Sequence, residues 1–68
     1  MIVGFLISIA VQGSSVDIAQ NYFLRGSEYA EHENYSQAIA EYNKAVKLEP
    51  TYGVYRFALG SAYFQELQ

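Results

Sequence analysis

The sequence predicts an all-α fold of three helices preceded by an apolar segment, and three observations predict it. Beyond residue 13, apolar side chains recur every three or four positions, which aligns them along one face of a helix. Two interruptions divide that pattern, "HEN" at His32–Asn34 and Pro50. Finally, "RGSEY" at Arg25–Tyr29 and "LGSAY" at Leu59–Tyr63 share a Gly-Ser-x-Tyr core 34 residues apart, the spacing of a structural unit that begins again.

The bulk properties set limits. A chain of 68 residues is one domain at most, and a single core is marginal at that size. Half of the residues are apolar, with seven Tyr and four Phe supplying the volume, and there is no Cys to form a disulfide or a thiolate metal site. The net charge is −3 and the four cations, Arg25, Lys44, Lys47 and Arg56, are never adjacent. Phosphate binding needs clustered Lys and Arg, so the composition argues against a nucleic-acid partner.

Composition changes abruptly at "QGSS": no charged side chain precedes Asp17, and residues 2–11, "IVGFLISIAV", are almost wholly apolar. The chain divides there into an apolar segment, 1–13, and a helical region, 14–68. The favoured reading of residues 1–13 is an export signal, from the length of the apolar stretch and the small residues near "VQGSS", although a basic start is missing. That reading places the protein in a periplasm or outside the cell. The competing readings are a cap folded onto the domain of a cytoplasmic protein, and a membrane-associating segment through residues 1–12. A spanning helix is disfavoured, because Met1 to Val16 falls short of the roughly 20 residues a bilayer core requires.

The first helix starts at Ser14 or Ser15, whose hydroxyl caps the orphan N–H groups, and Asp17 adds negative charge in the first turn. Ile18, Tyr22, Gly26 and Tyr29 form its stripe, and it runs to about His32. Asn34 is expected to take the turn conformation and, with Gln37, to form a capping box for the second helix. That helix carries Tyr35, Ala38, Ile39, Tyr42, Ala45 and Val46 on one face. Lys44 and Lys47 sit in its last turns, and Pro50 stops it. The third helix begins near Thr51 and continues through Leu59 and Tyr63 to the C-terminus.

The order and spacing of these residues resemble the tetratricopeptide repeat family, whose 34-residue units are helix–turn–helix hairpins. In the first unit Tyr22 takes the aromatic place, Arg25 the Leu place, Gly26 the Gly and Tyr29 the Tyr. Ala38 and Tyr42 fill the Ala-x-x-x-aromatic element, Ala45 the later small place and Pro50 the closing proline. A second unit restarts with Arg56, Leu59, Gly60 and Tyr63. Arg25 in place of Leu and Arg56 in place of an aromatic are the departures. The resemblance implies an antiparallel hairpin plus a third helix, a short α-solenoid fragment, with one repeat over 19–52 and part of another over 53–68. Gly26 and Ala38 are small where helices cross, the tyrosines fill the wider contacts, and Gly60 is expected to serve close packing in its turn.

The same resemblance implies a function. Such repeats are scaffolds that bind peptides or proteins in a concave groove, here Gln20, Phe23, Ser27 and Glu31 from the first helix and Val54, Phe57, Ser61 and Phe64 from the third. Phe23 and Ser27 stand where a carboxylate-clamping member would need Lys and Asn, so an apolar or extended peptide is the expected ligand. No enzyme is indicated. The single histidine, His32, lies at a helix end between Glu31 and Glu33, and no nucleophile has a partner base. Glu28, Glu31 and Glu33 lack calcium-loop spacing and read as a solvated face, and no cofactor or metal is implied. "NYS" at Asn34–Ser36 is formally a glycosylation sequon, outweighed by the capping reading. Two other functions compete: a small membrane-associated docking protein that keeps residues 1–12, and a fragment of a longer array. One and a half repeats leave Tyr55, Leu59, Ala62 and Tyr63 of the third helix without a covering helix. Arrays of about three repeats are the norm, so self-association or assembly with a partner is expected.

Overall fold

The computed structural model describes residues 14–68, and the reading of residues 1–13 lies outside them. Three helices follow one another: α1, Ser15–Glu31; α2, Tyr35–Leu48; and α3, Gly53–Glu66. α1 and α2 form an antiparallel hairpin, and α3 packs chiefly along α2.

Each boundary has a local cause. The Ser14 hydroxyl accepts from the Asp17 N–H at 3.4 Å, as the sequence predicts. The first turn between helices is built differently from the expectation. Asn34 makes no side-chain cap bond, and the left-handed residue is Glu33, with φ 63°. The backbone does the capping instead. The Asn34 N–H reaches the Tyr29 carbonyl at 2.9 Å and the Glu33 N–H the Ala30 carbonyl at 2.9 Å, which together make a Schellman closure. With these carbonyls satisfied from the main chain, the side chain of Asn34 stays exposed. α3 starts two residues later than predicted, at Gly53 with Tyr52 as its cap, because Glu49 to Tyr52 are taken up by a turn closed by the Tyr52 N–H on the Glu49 carbonyl at 3.2 Å.

Two small clusters form the core. Ala38, Ile39, Tyr42 and Ala62 make one, and Ala19, Ala45 and Tyr55 the other. A line of rings joins them: Phe23 of α1 lies 5.7 Å from Tyr42 of α2 and 5.1 Å from Tyr55 of α3, and Tyr55 meets Tyr52 edge-on at 4.7 Å. Tilted and edge-on pairs at these separations add to what area burial alone provides. The predicted stripe of α1 holds at Tyr22, Gly26 and Tyr29, which are buried or half-buried, and is corrected only at its first position. Ile18 is 40 % exposed while Ala19 is fully buried, because α1 touches α3 as well as α2 and its inward face is wider than a single stripe.

The hairpin crossing sits at Gly26. A Cβ there would stand 2.7 Å from Tyr42 Cδ1 and 3.2 Å from the Ala38 carbonyl oxygen, so the absence of a side chain is what lets α2 lie this close. Gly60, in the corresponding place of α3, differs. It is exposed and a Cβ would meet nothing within 4 Å among the described residues, which do not make the expected close packing. The described residues contain no helix on that side of α3. For the same reason Tyr63 is 48 % exposed and Leu59 only half-buried.

Arg25, in the Leu place, reaches outward. Its guanidinium lies 3.9 Å from Glu41 Oε1 and 6.0 Å from the Tyr22 ring. Lys44 approaches the other Glu41 oxygen at 3.7 Å and the same ring at 5.3 Å. Both cations are more than half exposed, so these pairs contribute little to stability. Arg56, in the aromatic place, donates to the Pro50 carbonyl at 3.4 Å, tying the start of α3 to the preceding turn.

Candidate peptide-binding groove

α1 and α3 meet at Tyr55, through the Phe23 ring and Gln20, and side chains of all three helices open onto one surface. Phe23 and Ala30 come from α1, Tyr35 and Tyr42 from α2, and Val54, Phe57, Ala58, Ser61, Ala62 and Gln65 from α3. They line an open groove of about 280 Å³. A second recess, of about 340 Å³, shares Phe57, Ser61 and Gln65 with it and adds Gly60 and Phe64. No residue lining either recess is charged. Phe57 is 77 % exposed, Phe64 60 % and Val54 47 %, an unusual concentration of bare apolar surface for so small a domain.

Of the eight positions expected to form the groove, Phe23, Val54, Phe57 and Ser61 line it together, and Phe64 lines the adjoining recess. Phe23 is half-buried behind the others, between the rings of Tyr42 and Tyr55. Gln20 and Ser27 are turned to another use. The Tyr55 hydroxyl donates to Gln20 Oε1 at 3.1 Å, and the Tyr42 hydroxyl donates to Ser27 Oγ at 3.2 Å. Each thus satisfies the polar end of a buried ring. Glu31 is exposed and is not among the lining residues. Ala58, Ala62 and Gln65 were missed in the sequence, although Ala58 and Gln65 directly follow the groove positions Phe57 and Phe64. Tyr42 serves twice, filling the Gly26 crossing and lining the groove.

Tyr55 has the one perturbed acidity among these groups. Burial, at 2 % exposure, pushes its hydroxyl above the ordinary tyrosine value of 10.0, with smaller contributions from neighbouring Tyr52 and Glu49. Because the folded state holds the proton more tightly, the associated stability is intact below the ordinary value and falls as pH rises through the raised one. Thermal melts of the wild type are therefore expected to decline above pH 10.0 more steeply than those of Tyr55→Phe, and coincident pH profiles would contradict this.

Antiparallel helices that cross at a glycine, followed after a proline by a helix restarting the same signature, define an α-helical repeat protein with an apolar groove. The family model for the TPR repeat matches residues 26–66, more than half of the chain, and the chain belongs to that family. No curated protein and no solved structure gives a match. Repeats of this family are generally protein–protein interaction modules and typically non-catalytic.

Proposed function

We propose that this chain is a non-catalytic interaction scaffold that takes an uncharged segment of a partner protein, rich in aromatic and aliphatic side chains, across α3 and the edge of α1. The observation that carries this reading is Phe57, 77 % exposed in the middle of a groove with no charged lining residue. Such an aromatic is the type of side chain that dominates binding energy when a partner covers it. The volume decides between ligand classes. About 280 Å³ is at the lower edge of what an enclosed small-molecule site occupies, and here it is open, so it suits one or two peptide side chains rather than a cofactor. The absence of cations in the groove favours a segment without acidic anchors.

A peptide selected by the chain from a random array tests the proposal. Phe57→Ala is expected to weaken its binding about tenfold or more while circular dichroism stays unchanged, since Phe57 packs little within the chain. Binding that survives the substitution, or selected peptides dominated by acidic residues, would contradict it.

A further inference from the structure

On the far side of Tyr55 from the groove lies a smaller recess of about 250 Å³, to which all three helices contribute. Val16 and Gln20 come from α1, Glu49 from the end of α2, and Tyr52 and Tyr55 from the start of α3. One pair of rings separates it from the groove: Phe23 lines the groove, and Tyr55, 5.1 Å away, lines the recess. Along α3, Tyr52 and Phe57 are five residues apart, roughly 8 Å, which two or three residues of extended chain would span.

Unlike the groove, the recess has a charged wall. Glu49 is its one charged lining residue and is half-buried. The Ser15 hydroxyl donates to Glu49 Oε2 at 2.6 Å and so holds the carboxylate in place. Among the described residues no cation pairs with it: Arg25 and Lys44 lie against Glu41, and Arg56 donates to the Pro50 carbonyl. A carboxylate so placed gains more from a cation than one in open water does. Two helix starts and one helix end also meet here, with a net partial charge smaller than the full charge of the carboxylate. Beside it stand two rings, Tyr52, 50 % exposed, and Tyr55, meeting edge-on at 4.7 Å. An acid beside aromatic rings suits an ammonium or guanidinium group, because the rings add cation–π attraction and cover its apolar stem. After burial and Tyr52, Glu49 is the third influence raising the Tyr55 hydroxyl above its ordinary value, so its field is felt in the recess. Residues 1–13 carry no basic side chain to fill it.

We propose, resting on the groove reading above, that this recess takes a lysine or arginine side chain of the same partner segment. That cation stands two or three residues from the group that covers Phe57, and it adds a basic flank to the uncharged stretch in the groove. Such a flank sets direction. An apolar groove alone leaves a segment free to slide or reverse, whereas one charge fixes its register, with the basic residue toward the starts of α1 and α3.

Peptides that the full chain selects from a random array test this, together with Glu49→Gln. The selected set is expected to carry Lys or Arg on one flank of its apolar stretch. Replacing that cation by Gln in one such peptide is expected to weaken binding about fivefold, measured by fluorescence anisotropy at low salt. Glu49→Gln, which keeps an acceptor for the Ser15 hydroxyl, is expected to lose the same factor. Against the substituted peptide it is expected to lose nothing further. The peptide-side change reads the contact without touching the fold of the chain. Phe57→Ala is expected to weaken both peptides by one common factor, and so reports on the groove separately. Selected peptides without a flanking cation overturn the proposal. So does equal affinity of wild type and Glu49→Gln where Phe57→Ala still weakens binding, and the groove reading then stands. Binding indifferent to Phe57→Ala overturns that reading and the basic flank with it.

Discussion

Gly26→Leu is expected to cost the chain a large share of its stability. The first added carbon would lie 2.7 and 2.8 Å from two carbons of the Tyr42 ring and 3.2 Å from the Ala38 carbonyl oxygen. The ring could rotate away only by leaving Phe23 and the Ser27 hydroxyl, and the carbonyl belongs to a helix backbone that cannot yield alone. Overpacking of this kind typically costs about 1–3 kcal/mol. Small domains hold about 0.05–0.15 kcal/mol per residue, so such a loss removes a large share of the total. Gly60→Ala, at the equivalent place 34 residues later, is the control. With no described residue within reach of its Cβ, it is expected to gain about 0.5–1 kcal/mol from helix propensity in dilute solution. Urea melts followed by circular dichroism measure both. Equal midpoints for Gly26→Leu and wild type would mean that the helices do not cross there.

Tyr42→Ala is expected to be more damaging still, from the opposite direction. Tyr42 is 5 % exposed, stacks on Phe23, covers Gly26 and donates to Ser27 Oγ at 3.2 Å. Removing a large buried ring costs about 3–5 kcal/mol, and here the void would open opposite a glycine that offers no side chain to refill it. Tyr42→Phe separates the two roles of the residue. It keeps the ring and loses one part-buried hydrogen bond, worth about 1 kcal/mol. The expected order of melting is wild type, then Tyr42→Phe by a small step, then Tyr42→Ala largely unfolded at room temperature. A Tyr42→Phe variant as unstable as Tyr42→Ala would place the hydroxyl, rather than the ring, at the centre of the hairpin.

The elements that could be read in advance share a physical reason. Ala38, Tyr42, Ala45 and Gly26 are buried where the repeat spacing placed them, because a small residue and a ring at fixed offsets leave few ways for two helices to cross. Pro50 and Ser14 acted through local sterics and capping, which sequence displays directly. The turn after α1 was harder. Either Asn34 or Glu33 can enter the left-handed region, and the choice depended on which backbone carbonyls were within reach, a fact of geometry rather than of residue type. Gly60 shows the sharper limit. Its signature is that of Gly26, yet its environment is set by what lies beside α3, and nothing in Leu59–Tyr63 records that. The groove was legible at Phe23, Val54, Phe57 and Ser61 as positions on a helical face. Gln20 and Ser27 share that spacing but went to the hydroxyls of Tyr55 and Tyr42, partners that come from other helices and that periodicity does not reveal.

The central claim is that one groove, formed by α3 with the edge of α1, is where a partner segment is held. Solution NMR of the isotope-labelled chain, titrated with a peptide it selects from an array, tests this most directly. The largest shifts are predicted at Val54, Phe57, Ser61 and Gln65, with smaller ones at Ala30, all of which line the groove. Shifts confined instead to the outer side of the hairpin, around Ile18, Tyr22, Lys44 and Leu48, would contradict the account.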